Sequence, residues 1–290
     1  MKSKALLLPV AVSLLFSGSY IAAKFTVSDL GPLTTSFLRY AAALVFLCML
    51  LVRQKSALHI RKQDIPRFIG LGLSGIVGYH VFFLLAIRHT AVANTAIINA
   101  SSPVITGTAA ALILGERLRR SNYAGIALAF LGVVILLTRG SWSNLSSLAI
   151  NTGDAFMLLA VLSWTVYALL VKILCGRYSG LTITFYASLF GAAALLPLGL
   201  AEGAAGQIAS ISAASFWAIL YMGLGASGLG YLLYNLSIRN IGPTQTASVV
   251  YSLVQIAVAI LAFLIFGNPL TPVMILSMVL IISGLRLALR

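Results

Sequence analysis

Apolar runs of bilayer-crossing length follow one another along this chain, and they decide its solvent. A helix needs about 20 apolar residues to cross the hydrocarbon. Read between charges and Gly, Pro or Asn breaks, the sequence offers ten runs: residues 5–24, 33–52, 68–87, 92–115 and 121–138, then 153–173, 180–200, 213–236, 243–266 and 271–288. Loops are short and residues 139–152 read as the only linker, so no soluble domain fits. Of the 290 residues, 60% are hydrophobic and 8% charged, against about 25% charged in soluble domains. The expected class is an all-α integral membrane protein with ten transmembrane helices. The start, MKSKALLLPVAVSLLFSGSYIAA, has the charge and apolar pattern of a signal peptide. An uncleaved first helix is preferred, because a later segment repeats it.

The last five runs resemble the first five. LTTSF at 33–37 matches LTITF at 181–185, and FSGSYIAAK ending at Lys24 aligns with WTVYALLVK ending at Lys172, both 148 residues apart. AIRHT at 86–90 matches SIRNI at 237–241 with an offset of 151, and Gly132 falls on Gly284 with 152. The expected units are residues 1–140 and 153–290. Each holds an odd number of helices, so the second must enter the membrane upside down. Inverted repeats are a transporter architecture, with the substrate site between them near the midplane.

The net charge of +14 would point to nucleic acid in a soluble protein. Here the basic residues fill short gaps between apolar runs, which is how orientation is set, and no nucleic-acid partner is expected. With the N-terminus inside, fifteen lysines and arginines fall on the cytoplasmic side and three (Lys24, Arg88 and Arg139) outside. Both termini are therefore expected in the cytoplasm. Cys48 and Cys175 are far apart and read as packing residues, with no metal spacing or disulfide framework. No cofactor is expected, and the sequence leaves the oligomeric state open.

Periodicity separates the helix faces. At about 100° per residue, Gly72, Gly75, Ile76, Tyr79, His80 and Phe83 share one side of the third run, with leucines and valines opposite. The eighth run repeats the plan with Ser227, Gly228, Tyr231, Tyr234 and Asn235, and the alignment places His80 on Tyr231. Polar stripes also mark the first run (Ser13, Ser17, Tyr20, Lys24), the fourth (Thr95, Asn99, Ser102, Pro103, Thr106) and the ninth (Thr244, Ser248, Tyr251, Ser252, Gln255). Trp164 and Tyr167 mark the sixth. Pro103 is expected to free a carbonyl toward the interior. Together these faces describe a cavity wall of rings and neutral hydrogen-bonding groups.

Each residue also has a plainer reading. Ser, Thr, Asn and Gln bond neighbouring helices together, and Gly72, Gly75, Gly223 and Gly228 let helices approach closely. His80 reads either as cavity-lining or as a buried structural histidine, and Arg39 and Lys24 as side chains that snorkel to the interface. The five acids (Asp29, Asp64, Glu116, Asp154 and Glu202) all fall in loops or at helix ends. No carboxylate is therefore expected at membrane depth, which disfavours strong proton coupling. No nucleophile elbow, P-loop or His-Glu-x-x-His helix appears, so an enzyme is not expected.

The segments FSGSYIAAKFTV, LTTSFLRYAAA and AIRHTAVANTAIINASSPVITGTAAALILGERL, with a Gly132-containing fifth run, carry a resemblance to the EamA-type drug/metabolite transporter repeat, which recurs over residues 153–290. Within that superfamily the chain is most similar to the YddG-type exporters of aromatic amino acids. The resemblance implies ten helices, an inner-membrane location and export of amino acids or related metabolites. It matches Arg39, Pro103 and Glu116 to the family's helix-2 arginine, helix-4 proline and end-of-helix acid, and these, together with Lys24 at the end of its run, are expected to have gating or structural roles. Asn268, Ala187 and Val254 stand where the second copy would repeat its acid, arginine and proline. The expected substrate contacts are His80, Trp164, Tyr231 and Asn235, followed by Tyr79, Phe83, Asn99, Tyr234, Tyr251, Ser252 and Gln255. The expected partners are a small-molecule substrate and the lipid bilayer. A broad drug or metabolite exporter is the alternative, and a lipid-handling protein that transports nothing is a more distant one.

Overall fold

The structure is a computed structural model that describes residues 2–26, 29–54, 59–89, 98–99, 101–116, 118–138, 141, 143, 151–266 and 271–288. Among these residues every regular element is helical. Thr95, Arg117, Arg139, Asn268 and the side chains of Lys24 and Arg88 lie outside the described residues. Helices α1 (Lys2–Thr26) and α2 (Pro32–Gln54) are followed by a composite α3. This starts as a 3-10 turn at Lys62–Asp64, continues over Ile65–Leu71 and Gly72–Gly78, and ends as Tyr79–His89. Next come α4 (Ser102–Leu114), α5 (Arg120–Thr138), α6 (Thr152–Leu174) and α7 (Gly180–Ala201). A short helix, Ala204–Ala209, fills the gap expected to be loop. α8 starts as Ala213–Leu220 and Tyr221–Gly230 and runs into the long helix Tyr231–Phe266. That helix is kinked at Gly242 (φ 83°, ψ 163°) ahead of Pro243, and residues 243–266 beyond the kink form α9. α10 is Pro272–Ala288.

Among the described residues six helical stretches are long and apolar enough to cross a membrane, and the last of them, Ala213–Ile265 (53 residues), contains both α8 and α9. Ser102–Leu114, Arg120–Ile135 and Pro272–Ala288 are apolar but shorter. The loop expected at 237–242 is thus reduced to one residue. A positive φ, which glycine adopts at little cost, lets Gly242 turn the chain where Pro243 cannot continue it.

Two expectations are corrected. Pro103 stands in the first turn of α4, where no backbone donor is needed. The carbonyl four residues before it, Asn99 O, accepts the Ser102 hydroxyl at 2.6 Å, so it is satisfied rather than offered to the interior. Cys48 is exposed on the outer face of α2, while Cys175 is buried.

Residues 72–78 of α3 and 221–230 of α8 are π-helical. The Tyr79 N–H reaches Ser74 O and the Tyr231 N–H reaches Ala226 O, both five residues back. These two segments coincide under the 151-residue offset of the repeat. The glycines crowding both segments (Gly72, Gly75 and Gly78; Gly223, Gly225, Gly228 and Gly230) are its trace in the sequence.

The repeat is expressed as crossed contacts. α2 packs on α8 and α7 packs on α3; α1 packs on α8 and α9, and α6 on α3 and α4. A methyl group on Gly223 would lie 2.8 Å from Arg39 O, and one on Gly72 would lie 2.7 Å from the Gly191 N. Both glycines therefore serve close helix approach. The ends repeat the logic. Asp29 accepts the backbone N–H of Ser212 (3.0 Å) and the hydroxyls of Ser212 and Ser215 (2.6 Å for Ser215). Asp64 accepts the Tyr178 hydroxyl at 2.8 Å and pairs with Arg67 and Arg177. Under the 148-residue offset, Asp29 corresponds to Arg177 and Asp64 to Ser212. Residues 29 and 64 lie at opposite ends of α2, and each meets the counterpart of the other. Such pairing requires the two units to run through the bundle in opposite senses.

α5 and α10 close the far side as an antiparallel pair, Gly125 lying against Gly284 and Ala288, and Gly132 against Ser277 and Ile281. Two outcomes are expected. With Cys48 and Cys175 replaced by serine, Asp29→Cys with Ser212→Cys should be joined by a short bifunctional thiol reagent in membranes. Asp29→Cys with Arg177→Cys should not be joined, as gel mobility would show. Gly132→Leu should destabilise the detergent-solubilised protein by about 1–3 kcal/mol, because backbone atoms cannot yield. Gly206→Ala, with nothing within 4 Å of the added carbon, should melt like the parent.

Candidate functional site

At the centre of the bundle α1, α2, α3, α6 and α8 bring their rings together. Trp164 on α6 stands in the middle, with ring centroids at 5.2 Å to Tyr79, 5.1 Å to Tyr167, 5.4 Å to Tyr231 and 5.1 Å to Tyr234. Tyr40 on α2 is edge-on to both His80 (5.4 Å) and Tyr231 (5.8 Å), so it links the two residues that the repeat aligns. Tyr79 stacks on Phe83 at 5.9 Å, and Phe16 on α1 reaches Tyr231 and Tyr234. Each well-oriented ring pair adds about 0.5–1.5 kcal/mol beyond the area it buries.

Polar atoms thread the same cluster. Trp164 Nε1 donates to the Tyr234 hydroxyl at 2.9 Å, and the Tyr167 hydroxyl donates to Asn235 Oδ1 at 3.0 Å. Asn235 Nδ2 donates to Thr184 Oγ1 (2.9 Å), whose hydroxyl donates to Gly180 O (2.7 Å). The Tyr231 hydroxyl reaches Gly75 O at 3.3 Å. His80 Nδ1 is 2.8 Å from Ile76 O; since a carbonyl only accepts, Nδ1 carries the hydrogen and Nε2 is left for another partner. Thr106 on α4 and Thr165 on α6 share a hydrogen bond of 3.1 Å.

The expected contacts divide by access. His80, Trp164, Tyr231, Tyr234, Asn235 and Asn99 are all buried, whereas Tyr79, Phe83 and Gln255 keep accessible surface. Tyr20 on α1 is 39% exposed. Tyr251 belongs to the same apolar cluster as Trp164. With Ser252 and Pro103 it also lines a narrow pocket of about 10 Å³ against α5 and α10, room for about one water. A larger groove of about 690 Å³ lies between α1, α8 and α9. Leu14, Phe25, Trp217 and Tyr221 on its walls are exposed on the outside of the bundle, away from the ring cluster.

Arg39 donates from Nε to Ser227 Oγ at 2.8 Å and lies 5.7 Å from the Tyr40 ring centre. Glu116 accepts the Thr244 hydroxyl at 2.7 Å, joining the end of α4 to the start of α9. Among the described residues no group of three or more His, Cys, Asp or Glu is placed to share a metal ion. Sequence reasoning passed over Tyr40 and Phe16. Tyr40 could have been found from the stripe Ser36, Tyr40, Ala43, Leu47 and Leu51, all buried at helical spacing on α2; Phe16 occupies the place in α1 that Trp164 takes in α6.

The chain has known likenesses in fold and in sequence. One solved crystal structure superposes with a TM-score of 0.80 over 99% of this chain and 98% of its own, at 18% identity. A Bacillus subtilis (strain 168) protein named as the uncharacterized transporter YyaM is 28% identical over 94% of this chain and 90% of its own length. A Streptantibioticus cattleyicolor protein named as a probable terminal-alkyne amino-acid exporter is 26% identical over 78% of this chain and 74% of its own. The family model for EamA-like transporters matches residues 3–138 and again 151–290, one match for each half of the bundle. The chain is a multi-pass membrane protein and belongs to the EamA-like transporter family.

Proposed function

We propose that this transporter exports aromatic and other neutral amino acids from the cytoplasm by rocking its two five-helix units, residues 1–140 and 153–290, about the central ring cluster. In this reading ten helices cross a bacterial-type inner membrane with both termini in the cytoplasm. The observation that carries it is the composition of the centre. Ring faces and hydrogen-bonding groups, uncharged apart from Arg39 at the edge of the cluster, converge there from both units, while the acids are engaged at the helix ends. Asp29, Asp64, Glu116 and Glu202 each accept hydrogen bonds from the opposite half, and Asp154 caps α6 with Asn151.

A zwitterion suits such a wall. It is neutral overall, and its ammonium can rest on ring faces worth about 0.5–2 kcal/mol each. The name of the Streptantibioticus cattleyicolor relative supports the same class of solute. His80, through Nε2, Trp164, Tyr231 and Asn235 are the proposed contacts. Tyr79, Phe83, Asn99, Tyr234, Tyr251, Ser252 and Gln255 complete the wall. Because most of these groups are sealed from solvent here, substrate entry requires the units to part at one end, with Glu116–Thr244 as a contact that opens.

Counterflow into proteoliposomes across a panel of amino acids tests the reading. Phenylalanine, tyrosine, tryptophan and methionine should exchange, and His80→Ala and Trp164→Ala should each slow exchange by roughly three- to thirty-fold. Normal exchange by both variants would remove these residues from the site. Stronger competition by cationic dyes than by any amino acid would favour a broad drug exporter instead.

A further inference from the structure

We infer that Arg39 is the anchor for a carboxylate on the transported solute, with Ser227 holding the guanidinium in place. The inference deepens the proposed function and rests on it for the direction of transport, not for the chemistry of the anchor.

Arg39 is about 10 Å into α2 from Pro32, at 1.5 Å per residue. Snorkelling back to the interface would point it along the helix, away from the bundle. Instead its Nε–H is spent on Ser227 of α8, buried in the opposite unit, and its guanidinium lies beside the Tyr40 ring. Tyr40 in turn stands edge-on to His80 and Tyr231, so the guanidinium borders the ring cluster. Among the described residues the ion pairs are those of Asp64 with Arg67 and Arg177, and none involves Arg39. Its two terminal nitrogens thus carry four N–H donors with no protein acceptor among the described residues. An unpaired charge at such depth is costly and is kept where it serves a ligand or pathway. The planar pair of terminal nitrogens matches a carboxylate, which it can hold through two parallel hydrogen bonds.

The inverted repeat shows that the fold does not need this charge. Under the repeat offsets Arg39 corresponds to Ala187 and Ser227 to Ile76, and both of these are fully buried in the apolar core. The same helix–helix junction is therefore built once with an arginine–serine pair and once with apolar side chains. The charged version keeps accessible surface at Arg39, where its counterpart Ala187 has none. A solute with its carboxylate on Arg39 would lie next to Tyr40, within reach of His80 and the Tyr231 ring face that the proposed function assigns to substrate.

The test is equilibrium binding to the purified full-length protein in nanodiscs. The probes are L-phenylalanine, L-phenylalaninamide, which lacks the carboxylate, and 3-phenylpropionate and lactate, which lack the amino group. Arg39→Met should weaken the carboxylate-bearing probes at least tenfold and phenylalaninamide less than threefold. Arg39→Lys and Ser227→Ala keep the charge but lose the fork or its support, and should give smaller losses with the same selectivity. They decide the matter if Arg39→Met does not fold. Unchanged phenylalanine binding in Arg39→Met, or equal loss of the amide and the acid in all variants, would overturn the anchor. If the parent protein ignored amino acids but bound 3-phenylpropionate or lactate through Arg39, the amino-acid reading would fall and the anchor would stand. If it bound none of the probes, both would fall.

Discussion

The exchange of contacts between the two halves is what the rest of this structure depends on. Lipid offers no hydrophobic drive to bring helices together, so association rests on close packing and satisfied polar groups. This chain supplies both across the halves. α2 lies on α8 through Gly223, α7 lies on α3 through Gly72, and Asp29 and Asp64 clasp the opposite unit at either end. Glu202 at the end of α7 accepts the backbone N–H groups of Leu33 and Thr34 (2.7 Å for Thr34), capping α2 from the other half. A carboxylate at a helix N-terminus contributes about 0.3–1 kcal/mol, and more when partly buried.

Because the halves hold each other, their facing surfaces are free to differ. The mate of Trp164 is Phe16, the mate of His80 is Tyr231, and the mate of Arg39 is Ala187. The symmetric frame places these residues at one centre, and their inequality gives that centre its chemistry. Histidine, tryptophan and arginine, with a neutral amide, stand where plain apolar packing would also have satisfied the fold. The π-helical turns at Gly72–Gly78 and Tyr221–Gly230 aim the groups that follow them, so that Tyr79 turns to Trp164 while His80 next to it turns to Tyr40.

Some of this centre was legible in the sequence. The clustering of His80, Trp164, Tyr231, Tyr234 and Asn235 follows from aligned polar faces on the third, sixth and eighth runs. Tyr40 follows the charged Arg39 and belongs to none of the polar stripes, although its buried stripe is helical in period. The division between sealed and accessible members of the wall has no sequence signal. It depends on how far apart helices from the two halves stand. Pro103 departs from the expectation for a similar reason. Proline's effect depends on where the helix starts, and α4 starts beside it, with the Ser102 hydroxyl taking up the carbonyl that would have been orphaned.

The sequence by itself determined the solvent, the helical class, the repeat and the retreat of every acid to the helix ends. Hydropathy, periodicity and charge are properties of neighbouring residues, and the bilayer admits few ways to satisfy them. Tertiary structure alone decided which acid clasps which loop, that Ser227 turns Arg39 inward, and that Tyr40 bridges His80 and Tyr231. Those pairings join residues 40 to 191 positions apart. They are set by the crossing of two upside-down units, a geometry that no local window of the chain contains.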